Sequence, residues 1–436
     1  MNLKSILYLP TRYFPAISGA EFYLQRMAEI FTSKSQYKID IYTSNAIDFK
    51  ALRDPNGKII RKERRQFEIV NNLKINRYSI NYNRSLEEKI TKIEKIPVYN
   101  SLELSNECLK KFLNNGPYLE ELIDFFLKSE NLNYDLIHTT FFPYFNLIIS
   151  LIIGKLVKKP VVLTPFFHFS NPRYLDPSLL EVINKFDLLI TCTNLEKKFL
   201  MNKIGVFEKK IKIIPMGVDY KKFENNHKKN TKNYSLKENF FRNGEKKFKI
   251  VLFCGYKNYE KGALSILKAI PYILEKIKKI YFVFIGPSTM AYNRELSKII
   301  KRKNVNIINL TPDNLTGYFD KKKIAAFKEA DIYLMPSRSD AFGIGYLEAW
   351  AAEKPVIGAN IGATPEVIRD NVDGFLVEFD NPVDIAEKVI RLLKYKKLRK
   401  KLGSFGKLKV IQNNTWKIIA EKTHKVYQDL IYKYEK

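Results

Sequence analysis

The chain holds 436 residues with 75 Lys+Arg against 46 Asp+Glu, a formal charge of +29, and its 45% hydrophobic content includes 30 Phe and 26 Tyr. A length of about two to four domains with that apolar share fills ordinary cores, which excludes a disordered, collagenous or coiled-coil chain. Cys108, Cys192 and Cys254 are far apart and odd in number, which excludes a disulfide framework and a cysteine-based zinc site and points to a reducing, cytoplasmic compartment.

Residues 1–10 carry one lysine before a short apolar run and no small-residue cleavage site, so they read as a first strand, Ser5–Leu9, rather than a signal peptide. Further strand-like runs lie at 39–43, 73–79, 136–138, 161–164, 188–192 and 211–214, with helical periodicity at 20–31 and 195–203. The alternation breaks over 83–130, a charged stretch read as a helical elaboration of the first domain. Residues 141–154 are apolar but shorter than the roughly 18 uncharged residues of a spanning helix. They also contain Pro143 and Asn146, so a buried core helix is predicted and the chain is expected not to be integral to a membrane. Residues 221–247, rich in Lys and Asn and without apolar period, are expected to form a linker. Alternation restarts at 248–254, 281–285, 305–308, 332–335, 356–358 and 375–377. The expectation is an α/β protein with two Rossmann-like, doubly wound parallel-sheet domains, 1–220 and 248–410, facing a cleft where ligands bind.

The segment 331–358 reads as strand, loop, helix, strand. Its loop ends in Gly343 and Gly345, so the amides of Gly343, Ile344 and Gly345 can approach an anion at a helix N-terminus, where the helix dipole favours it; a diphosphate fits. Asp340 precedes the helix and Glu348 follows eight residues later, so two carboxylates bracket the amides. A carboxylate accepts paired hydrogen bonds from vicinal hydroxyls, which suits a nucleotide sugar. The plainer reading, with Asp340 as a helix cap and Glu348 as a solvated helix residue, stays open on these residues alone. The dinucleotide fingerprint fails, because its third glycine position holds Glu348.

With Glu348-Ala349 followed by Pro355-Val-Ile357, this segment resembles the signature of retaining glycosyltransferases of family 4, within the glycosyl transferases of group 1, which have the GT-B fold. The family usually has Glu where this chain has Asp340. The resemblance implies a sugar contact for Asp340 and a ribose contact for Glu348. Cys254-Gly-Tyr-Lys-Asn-Tyr-Glu-Lys-Gly262 is similar to the family's strand and loop ending in Lys-Gly, which implies a grip on the diphosphate by Lys261. Tyr256 stands where an Arg is usual, and Lys257 beside it is the implied substitute cation. Gly362-Ala-Thr-Pro-Glu-Val-Ile368 resembles the family's glycine loop before a helix, with Thr364 also a natural cap and Pro365 a natural first helical residue. Residues 214–223 resemble its interdomain junction. In the first domain, Ser18-Gly19 resembles the glycine loop after the first strand, which implies approach of the Gly19 amide to the diphosphate or the sugar. His168 stands at a strand end where the family often places a histidine on the donor sugar; a structural histidine fits equally well. A helix over about 414–434 resembles the family's return crossing, so 411–436 is expected to pack on the first domain.

The resemblance thus implies a metal-independent, retaining hexosyltransferase that uses a UDP- or GDP-sugar and a hydroxyl acceptor, either a glycan or a lipid-linked molecule of the cell envelope. Asp340, His168 and Lys261 carry the implied catalytic roles; Gly19, Lys257, Lys261, Gly343, Ile344, Gly345 and Glu348 bind the donor. No Asp-x-Asp occurs, so no ligand set for a metal-bridged diphosphate is visible, and neither metal nor cofactor is expected. A nucleotide-sugar epimerase or phosphorylase of the same architecture is the alternative, with a basic nucleic-acid-binding protein, suggested by the charge and the abundant aromatics, a weaker one. Nucleic acid is not an expected partner, because the basic runs at 62–65, 228–232 and 394–401 are scattered and carry no recognised motif. A diphosphate engages only a few cations. The remaining charge is expected either to hold the protein on the cytoplasmic face of an anionic membrane or to reflect a lysine bias of the source organism.

Overall fold

Strands buried on both faces build two parallel sheets. In a computed structural model, which describes residues 3–16, 18–61, 67–129, 132–224, 234–302 and 305–436, the first sheet holds β1 Ser5–Leu9, β2 Lys38–Ser44, β3 Phe67–Val70, β4 Leu73–Tyr78, β5 Leu136–Thr140, β6 Val161–Thr164, β7 Leu188–Thr191 and β8 Ile211–Ile213. Their order is β3-β4-β2-β1-β5-β6-β7-β8. The second sheet holds β9 Lys249–Cys254, β10 Ile280–Ile285, β11 Ile307–Leu310, β12 Ile332–Met335, β13 Val356–Ala359 and β14 Gly374–Val377, in the order β11-β10-β9-β12-β13-β14. Every residue of β5, β6, β7, β10 and β12 is buried, as strands covered by helices on both faces require. In each sheet the strand order reverses beside the first strand, between β1 and β5 and between β9 and β12. Each switch point opens a crevice beyond the carboxyl ends of the strands of its own sheet.

The expected strand runs all form. An additional one is β3, which pairs antiparallel with β4 at the edge of the first sheet. Its connection is Asn71-Asn72, both left-handed at φ 51° and 63°, the backbone of a two-residue hairpin turn. The basic runs 62–65 and 228–232 lie outside the described residues.

The chain divides into two compact units, Met1–Pro215 with Trp416–Lys436, and Met216–Thr415. Part of the stretch read as a linker is packed into the second unit. Leu236 and Lys237 donate their amides to the Glu329 carboxylate at 2.9 Å each, and Phe241 stacks on Tyr281 with centroids 3.8 Å apart. In the first unit, the stretch 83–130 forms the helices Leu86–Glu94, Pro97–Asn100, Asn106–Asn115 and Glu120–Lys128. Their charged residues face outward, while Ile93, Phe112, Leu122 and Phe126 join the core cluster with Leu7 and Ile137. Each such side chain contributes about 1.5–3 kcal/mol by burial. The apolar run near Pro143 becomes the helix Asn146–Val157, buried from Asn146 to Gly154. Among the described residues no helix is long and apolar enough to cross a membrane.

The terminal helix, Trp416–Glu435, belongs to the first unit and is tied to its sheet by a buried histidine. His138 on β5 has Nε2 2.8 Å from Thr164 Oγ1, and its Nδ1 meets the Tyr427 hydroxyl, which also lies 3.2 Å from that of Tyr8. Burial pushes the His138 pKa down to about 3, so the native imidazole stays neutral. Between its ordinary value near 6.5 and about 3, only the unfolded chain takes up the proton, so stability falls as pH drops through that window. Between pH 7 and pH 4 wild type is expected to lose roughly 3 kcal/mol more than a His138→Gln variant in urea unfolding. Parallel pH profiles would contradict this.

Candidate active site

The second unit's switch point is made by the loops that follow β9 and β12, and polar contacts knit them together. Arg338 donates its amide to the Glu260 carbonyl at 2.8 Å and its Nε to the Glu260 carboxylate at 3.1 Å, while Ser337 Oγ donates to the same carbonyl at 3.1 Å. Lys261, anchored by its amide on Asn258 Oδ1 at 2.9 Å, reaches across the gap. Its ammonium donates to the Ser339 carbonyl at 3.0 Å and pairs with Asp340 Oδ2 at 2.9 Å. An ammonium has three N–H donors and the Ser339 carbonyl takes one, while Asp340 Oδ2, though in the ion pair, accepts no hydrogen bond, so donor capacity remains for a ligand. Both side chains of the pair are partly exposed.

The helix Ile344–Ala351 starts directly beyond this pair. Gly343 caps it at φ 92°, a left-handed conformation that a side chain would strain. Gly345 lies against the Tyr333 hydroxyl, which donates to the Cys254 carbonyl at 3.0 Å, and a Cβ there would collide with it. The first turn therefore sits flush on β12, and the amides of Ile344 and Gly345 lack intrahelical acceptors. A lysine ammonium and a helix N-terminus on the same lip are the two elements from which an anion site can be built.

Glu348, four residues into the helix, is buried rather than solvated. Its Oε1 accepts from Lys323 Nζ at 2.7 Å, and the lysine's side chain is only 9% exposed. That ammonium also lies 3.8 Å from the centroid of the Tyr318 ring. The two carboxylates therefore stand in separate ion pairs, Asp340 with Lys261 and Glu348 with Lys323. Lys323 escaped sequence reasoning because it is the third of three consecutive lysines, 321–323, and only its place on the inward face of the helix Lys321–Glu329 sets it apart. The interval between Lys323 and Glu348 carries no pattern that would pair them.

Lys257 is corrected by the structure. Its side chain is fully buried and donates to Asn309 Oδ1 at 2.7 Å and to the Leu310 carbonyl at 3.0 Å, so it faces β11 and not the anion site. Burial pushes its pKa down to about 8. Fully buried and turned toward β11, the Lys257 ammonium is not placed to substitute for the usual arginine, whereas Lys261, 21% exposed, lies on the lip itself.

In the first unit, Gly19 opens the helix Gly19–Ser33 after β1. The helix begins at Ser18, whose hydroxyl meets the Glu21 carboxylate; that carboxylate also accepts from Arg12 Nε at 2.9 Å. His168 follows β6, partly buried, with its ring centroid 5.0 Å from that of Tyr174. Both residues lie beyond the carboxyl ends of their strands.

Two family models match the chain: Glycosyltransferase Family 4 over residues 82–222 and Glycosyl transferases group 1 over residues 235–409. The chain belongs to the group 1 glycosyltransferases. An uncharacterized glycosyltransferase of Methanocaldococcus jannaschii is 31% identical over 39% of this chain and 47% of its own length. Spore coat protein SA of Bacillus subtilis is 30% identical over 41% and 48%. D-inositol 3-phosphate glycosyltransferase of Corynebacterium jeikeium is 25% identical over 57% and 59%. The chain thus spans about half the length of these relatives. Anabaena HepE in complex with UDP and glucose superposes with a TM-score of 0.69 at 14% identity, covering 98% of this chain and 100% of that one. Sucrose-phosphate synthase of Thermosynechococcus elongatus gives 0.68 at 16% identity, covering 98% and 99%. These likenesses establish the fold of this glycosyltransferase as GT-B, with one doubly wound sheet in each unit.

Proposed function

We propose that this chain is a metal-independent, retaining hexosyltransferase that moves a sugar from a UDP- or GDP-sugar to a hydroxyl acceptor, a glycan or a lipid-linked molecule. The observation that carries the reading is the Lys261 ammonium, held by Ser339 and paired with Asp340 beside the N-terminus of the helix Ile344–Ala351 with donor capacity to spare. That arrangement suits a departing nucleoside diphosphate. As the bond from the anomeric carbon to the phosphate oxygen breaks, negative charge grows on the diphosphate, and donors fixed in advance each contribute a few kcal/mol to its stabilisation. The acceptor oxygen forms its bond on the same face, and its proton passes to the departing phosphate oxygen, so no separate base is required. Asp340 orients the sugar and offsets positive charge at the anomeric carbon, His168 and the Gly19 amide contact the donor from the first unit, and Glu348 accepts the ribose hydroxyls. The complex of HepE with UDP and glucose, and the name of the D-inositol 3-phosphate glycosyltransferase among the relatives, support the choice of a nucleotide-sugar donor and a hydroxyl acceptor. The excess of basic residues supports adhesion to an anionic membrane face on the cytoplasmic side.

The test follows the slow hydrolysis of a panel of UDP- and GDP-sugars by proton NMR, reading the configuration of the sugar first released. Release with the donor's own anomeric configuration is expected. Inversion, or no turnover of any donor, would contradict the proposal.

A further inference from the structure

An aromatic corner stands over the other switch point, that of the first sheet, at the carboxyl ends of three adjacent strands. Phe49 follows β2, Phe141 and Tyr144 follow β5, and Arg12 follows β1 between them. Phe49 and Tyr144 are nearly parallel, with an interplanar angle of 21° and centroids 6.1 Å apart. Phe141 closes the corner at 5.7 Å from Phe49 and 5.1 Å from Tyr144.

Two features of this corner are costly and unexplained by packing. Phe49 is left 40% exposed, yet its ring is pinned by a buried guanidinium: Arg12, 2% exposed, lies 3.5 Å from the ring centroid. Arg12 is itself fixed, by Glu21 at 2.9 Å and by the Ile47 carbonyl at 2.9 Å. An exposed phenyl ring is normally mobile, and here a buried charge holds it still. Phe141 adopts φ 80°, which for a bulky residue costs about 1–3 kcal/mol. Strain and an immobilised exposed ring at the same strand ends mark a surface prepared for a ligand.

We propose that Phe49, Phe141 and Tyr144 form the platform on which the acceptor is held, and that the acceptor group seated there is a pyranose ring. The inference rests on reading the chain as a glycosyltransferase. A pyranose has one face of C–H groups, which the electron-rich face of an aromatic ring attracts, and a rim of hydroxyls. The corner matches both. Tyr174 stands 6.2 Å from Phe142, the neighbour of Phe141, and 5.0 Å from His168 between ring centroids, so polar groups lie beside the corner on the side of the residue assigned to the transferred sugar. An extended hydrocarbon would need a longer apolar trough than three rings provide.

Saturation-transfer NMR on the full chain with the methyl pyranosides of glucose, mannose and N-acetylglucosamine, without donor, tests this directly. At least one of the three is expected to receive saturation, strongest at the protons of its C–H face. The signal should fall at least fivefold in Phe49→Ala and recover in Phe49→Tyr, while Lys261→Ala leaves it unchanged. UDP- or GDP-sugar binding should respond the opposite way, lost in Lys261→Ala and kept in Phe49→Ala, which also shows that the Phe49 variant is folded. Failure of every nucleotide sugar to bind would overturn the glycosyltransferase reading but not a saccharide signal that depends on Phe49. The platform is overturned if no pyranoside receives saturation, if the signal survives in Phe49→Ala, or if farnesol binds there and the pyranosides do not.

Discussion

Replacing Glu348 by alanine is expected to lower transfer more than tenfold and also to destabilise the second unit by about 3–5 kcal/mol, because the substitution strands the Lys323 ammonium in a buried position. The lysine side chain is 9% exposed and that of Glu348 3%, so neither charge can turn to water when its partner is removed. Lys323→Met alone should be destabilising for the same reason, leaving Glu348 unpaired. The double variant Lys323→Met with Glu348→Gln removes both charges and should recover most of the stability. Its transfer should stay low, since the carboxylate proposed to accept the ribose hydroxyls is gone. Thermal unfolding of wild type, Glu348→Gln, Lys323→Met and the double variant gives the coupling, and donor turnover measured on the same samples separates stability from recognition. Additive stability losses would show that the pair is not coupled, and a double variant with wild-type turnover would remove Glu348 from the site.

Lys261→Ala is expected to behave in the contrary way, losing more than tenfold in turnover, about 1.4 kcal/mol of transition-state stabilisation, with little change in stability. Its pair with Asp340 is partly exposed, at 21% and 14% of the two side chains, and such pairs contribute about 0–1 kcal/mol to folding. The ammonium's worth therefore lies in its spare donor capacity rather than in the pair. Lys261→Arg should not restore activity, because a planar fork cannot take the place of a compact ammonium between the Ser339 carbonyl and Asp340. A marked loss of stability in Lys261→Ala without loss of turnover would assign the pair a structural role.

Much of the architecture was legible because parallel strands covered on both faces are nearly continuous apolar runs, and Val161–Thr164 or Ile332–Met335 leave little else to be. The edge strand Phe67–Val70 was not, since half its residues face solvent and its turn uses Asn71-Asn72 instead of a glycine pair. In the second unit, Lys261 and Asp340 were singled out separately, and their pairing follows from the doubly wound order, which makes neighbours of the two strands they follow. Lys257 was misread for a related reason: residue type marked it as a cation near the same loop, but its direction, toward Asn309, depends on a neighbouring strand that local sequence does not announce. Lys323 was hidden among lysines, since burial, not identity, makes it unusual. The aromatic corner was invisible for the same cause, because Phe49, Phe141 and Tyr144 come from separate loops and only the strand order gathers them.

The most direct test of the nucleotide-sugar site is calorimetric titration of the full chain with UDP, GDP and their hexose conjugates, repeated on Lys261→Ala and Phe49→Ala. One of these donors is expected to bind the wild type and the Phe49 variant alike, and to bind Lys261→Ala more than tenfold more weakly. Absence of binding by all of them, or equal binding by Lys261→Ala and wild type, would contradict a donor site at the junction of the loops after β9 and β12.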